Sequence, residues 1–536
     1  MISLQSTVCE TSANTPAQTN AADGVSATKE IRYEGEGTRT NPYIVDWDRN
    51  DPENPYNWSK ARRWLITVQL AVSTWTVSFG SSAYSGGLKS TERVFHVSEE
   101  VAVLGISLYV LGFGLGPLVF APLGEMYGRR HIFIVTMSVY TLFHLGGALG
   151  QNIATLLSTR FLAGVFGSSP LTNAGGAIAD IWNPRERGVA TSLYATAPWL
   201  GPVIGPIVGG FVSQNPRLGW RFSFWIMMIV SGVSLVFGTL VTPETYAPVL
   251  LRRRARALQK KSCGTIYYVS KYEINHSASL LAKLQINFSR PFLFLFTEPI
   301  VTLLSIYVCI AYSILYAFFA AYPIVFQQDR HFTPGTGGLA FLGVGVGNII
   351  GTCLTPIQNR LYWRAMDRSP SGRAPPEARL YLMMGIAALL PISLFWFAWT
   401  SEPPVPWIVP VIAGAPFGCA TAQIMLGVTA YLMDSYHIYF ASAIAATVVL
   451  RSIGAFAFPL FCPTMYRNLG DQWACSIFAF LGLACTPLPY FFYKYGPWIR
   501  SKSAYAYKDD VLSQQDSAIS RSNTLAEKDE KTKEEA

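Results

Sequence analysis

Two arginines stand where arginine is expensive. Arg160 and Arg451 each lie inside a long run of uncharged, mostly apolar residues. In a lipid-spanning helix such a cation costs about 2.5–3.5 kcal/mol on insertion scales, so it normally faces a cavity or a partner. Arg160 is only a few residues into its run, a position from which a long side chain also reaches the membrane surface; Arg451 is placed deeper. The acids lie elsewhere: Glu125, Asp180, Glu244, Glu298 and Asp434 fall near the ends of apolar runs, and none is central. Chemistry that moves a proton across a barrier needs a group that titrates in step with access. Asp180 and Asp434 are the candidates by position. His144 is a weaker one, since a lone histidine on such a run is more often packed than titrating. No nucleophile–base or metal-ligand spacing occurs in these runs, so neither enzymatic chemistry nor a cofactor is expected.

The elements that must hold these side chains are read from composition. Apolar residues make up 51% of the chain and charged residues 14%, against roughly 25% charged in a soluble domain. Runs of about 20 apolar residues, enough to cross a bilayer as helix, recur at 64–86, 101–121, 131–150, 155–178, 189–212, 222–242, 299–324, 335–358, 379–400, 405–432, 440–462 and 473–494. That predicts an all-α integral membrane protein of twelve spans in two groups of six. The expected divisions are a polar, structureless leading segment 1–60, a first half 61–242, a central loop 243–298, a second half 299–500, and a charged, structureless tail 501–536. Residues 1–60 show no apolar run after Met1, so no cleaved leader is expected.

Basic residues set the orientation. With the leading segment cytoplasmic, Arg129, Arg130, Arg185, Arg187, the Arg252–Arg256 cluster, Arg360, Arg364, Arg368 and Arg373 all fall inside. Both termini are therefore expected in the cytoplasm, and the net charge of +9 follows from this asymmetry without a nucleic-acid partner. The sequons at Asn57, Asn275 and Asn287 fall on the same side and should stay unmodified. Six of the eight cysteines lie in or beside spans without ligand spacing, which reads as packing.

The run from Ala197 to Gly210 repeats Pro198, Pro202 and Pro206 beside Gly201, Gly205 and Gly209, ending in Gly210. A spacing of four puts prolines on one helix face and glycines on the next. Each interior proline costs about 3 kcal/mol in a water-exposed helix, but a bilayer leaves the chain no alternative to helix. Glycines at this spacing let a second helix approach closely. Leu111–Gly116 and Leu342–Gly347 share an alternating glycine pattern, each in the second span of its group, as expected of parallel repeats with a site between them.

These residues carry a resemblance. Ala121-Pro122-Leu123-Gly124-Glu125-Met126-Tyr127-Gly128-Arg129-Arg130 is similar to the signature loop G-x-L-x-D-x-x-G-R-R/K of the major facilitator superfamily, with Ala121 and Glu125 as departures. Leu156 to Gly164 is similar to its L-x-x-x-R-x-x-Q-G motif, with Ala163 for glutamine. The Pro/Gly run looks like the motif of its antiporter branches. Asp51–Ser59, Pro243–Arg253, Tyr431–Tyr436 and Arg451-Ser452 narrow the likeness to the fungal twelve-span drug:proton antiporters, over roughly 41–500.

The resemblance implies a proton-coupled exporter of hydrophobic or amphipathic compounds, working by alternating access as a monomer in the plasma or vacuolar membrane. A nutrient or polyamine importer and a non-transporting sensor are the alternatives. It further implies a gate built from Glu125, Gly128, Arg129, Arg130, Asp180, Arg185 and Arg187, with Glu125 pairing to cations or to a helix N-terminus in one gate state. Arg160, Asp180, Asp434 and Arg451 are the expected proton-coupling set, Arg160 by biasing proton binding nearby. Trp75, Tyr109, Asn173, Tyr194, Trp199, Tyr312, Tyr316, Phe319, Tyr322, Phe417 and Gln423 are the candidate lining of a largely aromatic substrate cavity, where area burial and cation–π contacts would hold drugs.

Overall fold

The computed structural model describes residues 33–48, 50–183, 186–262, 265–273, 280–369 and 374–506. Arg185 and Arg373, the sequon at Asn275 and the two outermost tails lie outside them.

Apolar runs become helices because the backbone must satisfy its own hydrogen bonds wherever lipid replaces water. In chain order these are α1 Lys60–Ser82, α2 Glu99–Tyr127, α3 Arg129–Leu149, α4 Ile153–Ile181, α5 Arg187–Ser213, α6 Phe222–Val241 and α7 Pro299–Tyr322. They are followed by α8 Pro334–Arg368, α9 Pro376–Thr400 and α10 Ile408–Ser435. The last stretch, from Phe440 to Lys502, turns at Gly470, whose φ of 75° and ψ of 165° are not helical. We call the part before this turn α11 and the part beyond it α12. Nine helices among the described residues are long and apolar enough to cross a membrane, the last of them holding two crossings. The Ser- and Gly-richer α1 and α4 bring the crossings to twelve.

Helices α1–α6 pack as one group and α7–α12 as another, with α2 against α4, α1 against α5, α7 against α11 and α8 against α10. The groups join where α2 meets α11 and α5 meets α8. The glycines of α5 explain one of these seams. A Cβ at Gly201 would come within 2.5 Å of the Phe79 backbone nitrogen, and one at Gly210 within 2.3 Å of the Pro334 carbonyl oxygen. The same helix thus presses on α1 of its own half and on α8 of the other, the close approach its sequence calls for.

Call the end holding Gly128–Arg130 and Arg379 the arginine end, and the opposite one the far end. The leading segment departs from expectation there. From Tyr33 on it is folded: β1 Tyr43–Val45 pairs in parallel with β2 Tyr268–Ser270 of the central loop. Val45 is buried with Leu251 and Ala255 of the helix Ala247–Lys261. Asp51 pairs with Arg254, and Lys271 reaches Asp46 at 2.7 Å. A three-residue strand is too short to read from sequence, and its partner lies more than two hundred residues away. The far end is capped by a 3₁₀ turn at Ala83–Gly87 and a short helix, Leu88–Phe95.

Candidate functional site: paired gates and two interior arginines

At the arginine end each half carries the same ion pair. Arg129, opening α3, bonds through Nε to Asp180 at the end of α4, at 2.6 Å. Arg379, near the start of α9, bonds through Nε to Asp434 at the end of α10, at 2.7 Å. Each guanidinium also lies over a tyrosine ring, Tyr246 at 5.0 Å and Tyr362 at 3.5 Å. Both pairs are mostly shielded from solvent, where charge-assisted bonds are strongest.

The surroundings of the two pairs differ. In the first half the carboxylate of Glu244, just after α6, accepts from the backbone N–H groups of Arg129 (3.0 Å) and Arg130 (3.4 Å). It thereby caps α3, where unpaired donors and the helix dipole favour an anion. Gly128 makes this possible. Its φ is +101°, and a Cβ there would meet Glu244 Oε2 at 2.1 Å, so both conformation and space call for glycine. Glu125, given the pairing role in the sequence reading, is exposed and has no ion pair among the described residues; Glu244 occupies the helix N-terminus instead. Arg130 donates to the Thr239 carbonyl at 3.0 Å, and Arg187 to the Ala179 carbonyl at 3.0 Å. In the second half the signs are exchanged: Glu377 lies in the first turn of α9, and Arg500 at the end of α12 grips it with Nε at 3.1 Å and Nη2 at 2.9 Å. Sequence reasoning passed over this pair, since nothing local brings residues 377 and 500 together.

Arg160 is sealed. Only 1% exposed, it donates from Nε to the Gly105 carbonyl (2.8 Å), from Nη1 to Gly80 (2.6 Å) and from Nη2 to Ser81 (2.9 Å). Its guanidinium lies 4.3 Å from the Tyr109 ring centroid. It therefore does not reach for the membrane surface; it ties α4 to α1 and α2. Tyr109 is thus committed: its hydroxyl donates to the Val77 carbonyl at 2.9 Å and lies within hydrogen-bond distance of the Tyr140 hydroxyl at 3.1 Å. His144 is buried edge-on to Tyr140, the packed position expected of a lone histidine.

Arg451 is open. It is half-buried, its Nε is shielded without a hydrogen-bond partner, and its guanidinium lies 4.8 Å from the Tyr312 ring centroid. Tyr312 bonds through its hydroxyl to Tyr316 at 3.4 Å, and Tyr316 to Ser81 of α1 at 3.1 Å. Because Arg160 holds the Ser81 carbonyl, a polar chain runs from one interior arginine to the other across the two halves.

The expected cavity lining divides. Trp75, Tyr194 and Tyr312 are half-buried, and the Tyr194 hydroxyl donates to the Leu171 carbonyl of its own half at 2.9 Å. The packing of Tyr109, Asn173, Phe417 and Gln423 inside their own halves corrects their placement in the lining. Asn173 binds Ser169 and the Phe120 carbonyl, the Phe417 ring packs tilted against Phe318, and Gln423 donates to the Gly351 carbonyl. Tyr316, Trp199, Phe319 and Tyr322 are buried where the halves meet. Helix rotation decides these fates, and apolar runs with little periodicity do not reveal it.

At the far end the halves are held together. Glu99 of α2 pairs with Arg467 of α11, and Gln214 accepts from the Gly335 N–H at 3.2 Å. Of the ion pairs between described residues, Glu99–Arg467 is the one that joins the halves; those at the arginine end stay within a half. In the turn between α11 and α12, Asp471 lies against Asp329, which follows α7. Burial and the neighbouring Asp329 carboxylate push Asp471 up to about 6.

Comparison with known proteins agrees with this architecture. The model of the Major Facilitator Superfamily matches residues 70–459. The chain belongs to that superfamily. The major facilitator superfamily multidrug transporter mdrA of Aspergillus fumigatus is 49% identical over 90% of this chain and 78% of its own. The MFS-type efflux pump MFS2 of Trichophyton rubrum is 45% identical over 90% and 80%, and the efflux pump FUB11 of Gibberella moniliformis 45% identical over 88% and 79%. Among solved structures, a D-xylose-proton symporter shares the fold with a TM-score of 0.59 at 16% identity, over 80% of this chain and 97% of that one. As a major facilitator the chain is a multi-pass membrane transporter of small molecules, not an enzyme.

Proposed function

We propose that the protein exports hydrophobic or amphipathic small molecules from the cytoplasm in exchange for protons, as a monomer in the plasma membrane with both termini inside. The observation carrying this reading is the asymmetry of the contacts between halves. They are joined at the far end by Glu99–Arg467 and the α5–α8 seam, while the ion pairs of the arginine end stay within their halves. With the arginine end cytoplasmic, this is a pump poised to receive substrate from inside. Rocking of the halves would release the far-end contacts and bring the two gates together. The efflux relatives support the direction.

Asp180 and Asp434, each held by one arginine, are the carboxylates whose protonation would loosen a gate. Glu125, Gly128, Arg130, Arg185 and Arg187 complete the first gate. Arg160 takes part by fixing the α1–α2–α4 frame. One proton descending 100 mV yields about 2.3 kcal/mol, enough for roughly a fifty-fold substrate gradient.

The test is accumulation of a drug panel in a pump-deleted yeast strain expressing this chain, with and without a protonophore. Reduced accumulation that the protonophore restores is expected. Raised, gradient-dependent accumulation would make the protein an importer, and no change across the panel would contradict the reading.

A further inference from the structure

Both charges deep in the spanning helices are positive, and among the described residues no carboxylate faces either of them. The molecule treats them differently. Arg160 spends its guanidinium on three backbone carbonyls and a tyrosine face. Arg451 has an ion pair with no described residue; its Nε is shielded yet unbonded, and one side is covered by the Tyr312 ring. A shielded donor without an acceptor is a costly arrangement unless one arrives, and for the Nε of a half-buried guanidinium the acceptor that fits best is an anion. The aromatic face that supports it is the one that steadies a guanidinium while leaving its donor fork free.

Position points the same way. Arg451 and Tyr312 belong to the second half and Ser81 to the first; the Tyr312 hydroxyl reaches Ser81 through Tyr316, and a Cβ at Gly114 of the first half would lie 2.8 Å from Ser452, the chain neighbour of Arg451. Arg451 therefore stands near the junction of the halves, with the Tyr312 ring over one side. Such a site offers one fixed positive charge and an aromatic face beside it.

We propose that Arg451, backed by Tyr312 and the Tyr312–Tyr316 hydroxyl pair, is an anion subsite, and that the transported compounds include amphipathic monocarboxylates: an aromatic or aliphatic body with one carboxylate. The fork of Arg451 donates two N–H bonds to the carboxylate oxygens, and the body lies against the Tyr312 ring. A dication such as a polyamine is repelled by the same charge. The inference rests on the export reading for its transport consequence, though binding can be measured without it.

The experiment uses the full chain in neutral-lipid nanodiscs and two fluorescent probes, pyrenebutyrate and pyrenebutanamide, which share ring and chain and differ in charge. Tighter binding of the acid is expected, by roughly ten- to hundred-fold, the worth of a hydrogen bond to a charged group. Arg451→Gln should abolish this preference, and Arg451→Lys should keep part of it. Tyr312→Phe, which retains the ring, should lower the preference less than Arg451→Gln does. Unchanged thermal unfolding of the variants shows that they are folded. Equal binding of the two probes, binding of neither, or an acid preference that survives Arg451→Gln overturns the proposal. Protonophore-sensitive extrusion of either probe from expressing cells is scored separately. If it is missing while the preference holds, the export reading fails and the subsite stands.

Discussion

The two halves repeat one frame and fill it differently. Each closes its arginine end with a Nε–carboxylate pair of nearly equal length, Arg129–Asp180 at 2.6 Å and Arg379–Asp434 at 2.7 Å. Each also carries an arginine inside a membrane helix. In the first half that arginine is consumed by the fold; in the second it is left facing the space between the halves. One half thus supplies a rigid wall and the other a reactive one. A repeated backbone constrains where helices go, but burying a charge costs little once carbonyls encircle it, and only the first half provides them.

The largest expected effect breaks the comparison at the arginines. Arg160→Ala removes three charge-assisted bonds, to the carbonyls of Gly80, Ser81 and Gly105, and should cost about 3 kcal/mol or more. Arg160→Lys should recover little, because one ammonium cannot span three carbonyls on two helices. Arg451→Ala should stay within about 1 kcal/mol, since no bond is lost. Thermal unfolding of purified variants reads all three, and equal losses at Arg160 and Arg451 would refute the distinction.

A middle-sized effect sharpens the likeness of the gates. Asp180→Asn and Asp434→Asn each remove the charge from a mostly shielded pair and should slow transport several-fold, by amounts within about two-fold of each other. A large effect of one with none of the other would show that the repeated geometry hides unequal roles.

The smallest effect lies at the far end. With Asp471 raised to about 6, the folded state holds a proton there that the unfolded chain gives up near its ordinary value of 3.8. Its contribution to stability is therefore present below about pH 4 and lost as pH rises through 6. Asp471→Asn should flatten that part of the stability–pH curve, measured as unfolding temperature from pH 4 to 7; an unchanged slope would remove Asp471 from the account.

The chain announces its helices because a bilayer leaves an apolar run of twenty residues one option. It announces the α5 seam because proline and glycine spacing is itself the mechanism, and the first gate's arginines because Gly128 and the charges beside it are contiguous; Arg379 of the second gate carries no such local signal. What stayed hidden depends on distance or on rotation. The carbonyls sealing Arg160 come from residues 80, 81 and 105, and the partner of Glu377 from residue 500. Asn173 and Gln423 turn into helix–helix contacts rather than toward the space between the halves. The β1–β2 pairing near the arginine end joins two segments that separately look like polar linkers.

Proton-driven export is the claim on which the rest depends, and vesicles test it most directly. Inside-out plasma-membrane vesicles from expressing yeast would be acidified internally and given a compound that the cell assay shows to be expelled. The account predicts uptake into the vesicle that requires the gradient and is matched by proton release. Uptake that persists after the gradient is collapsed would contradict it.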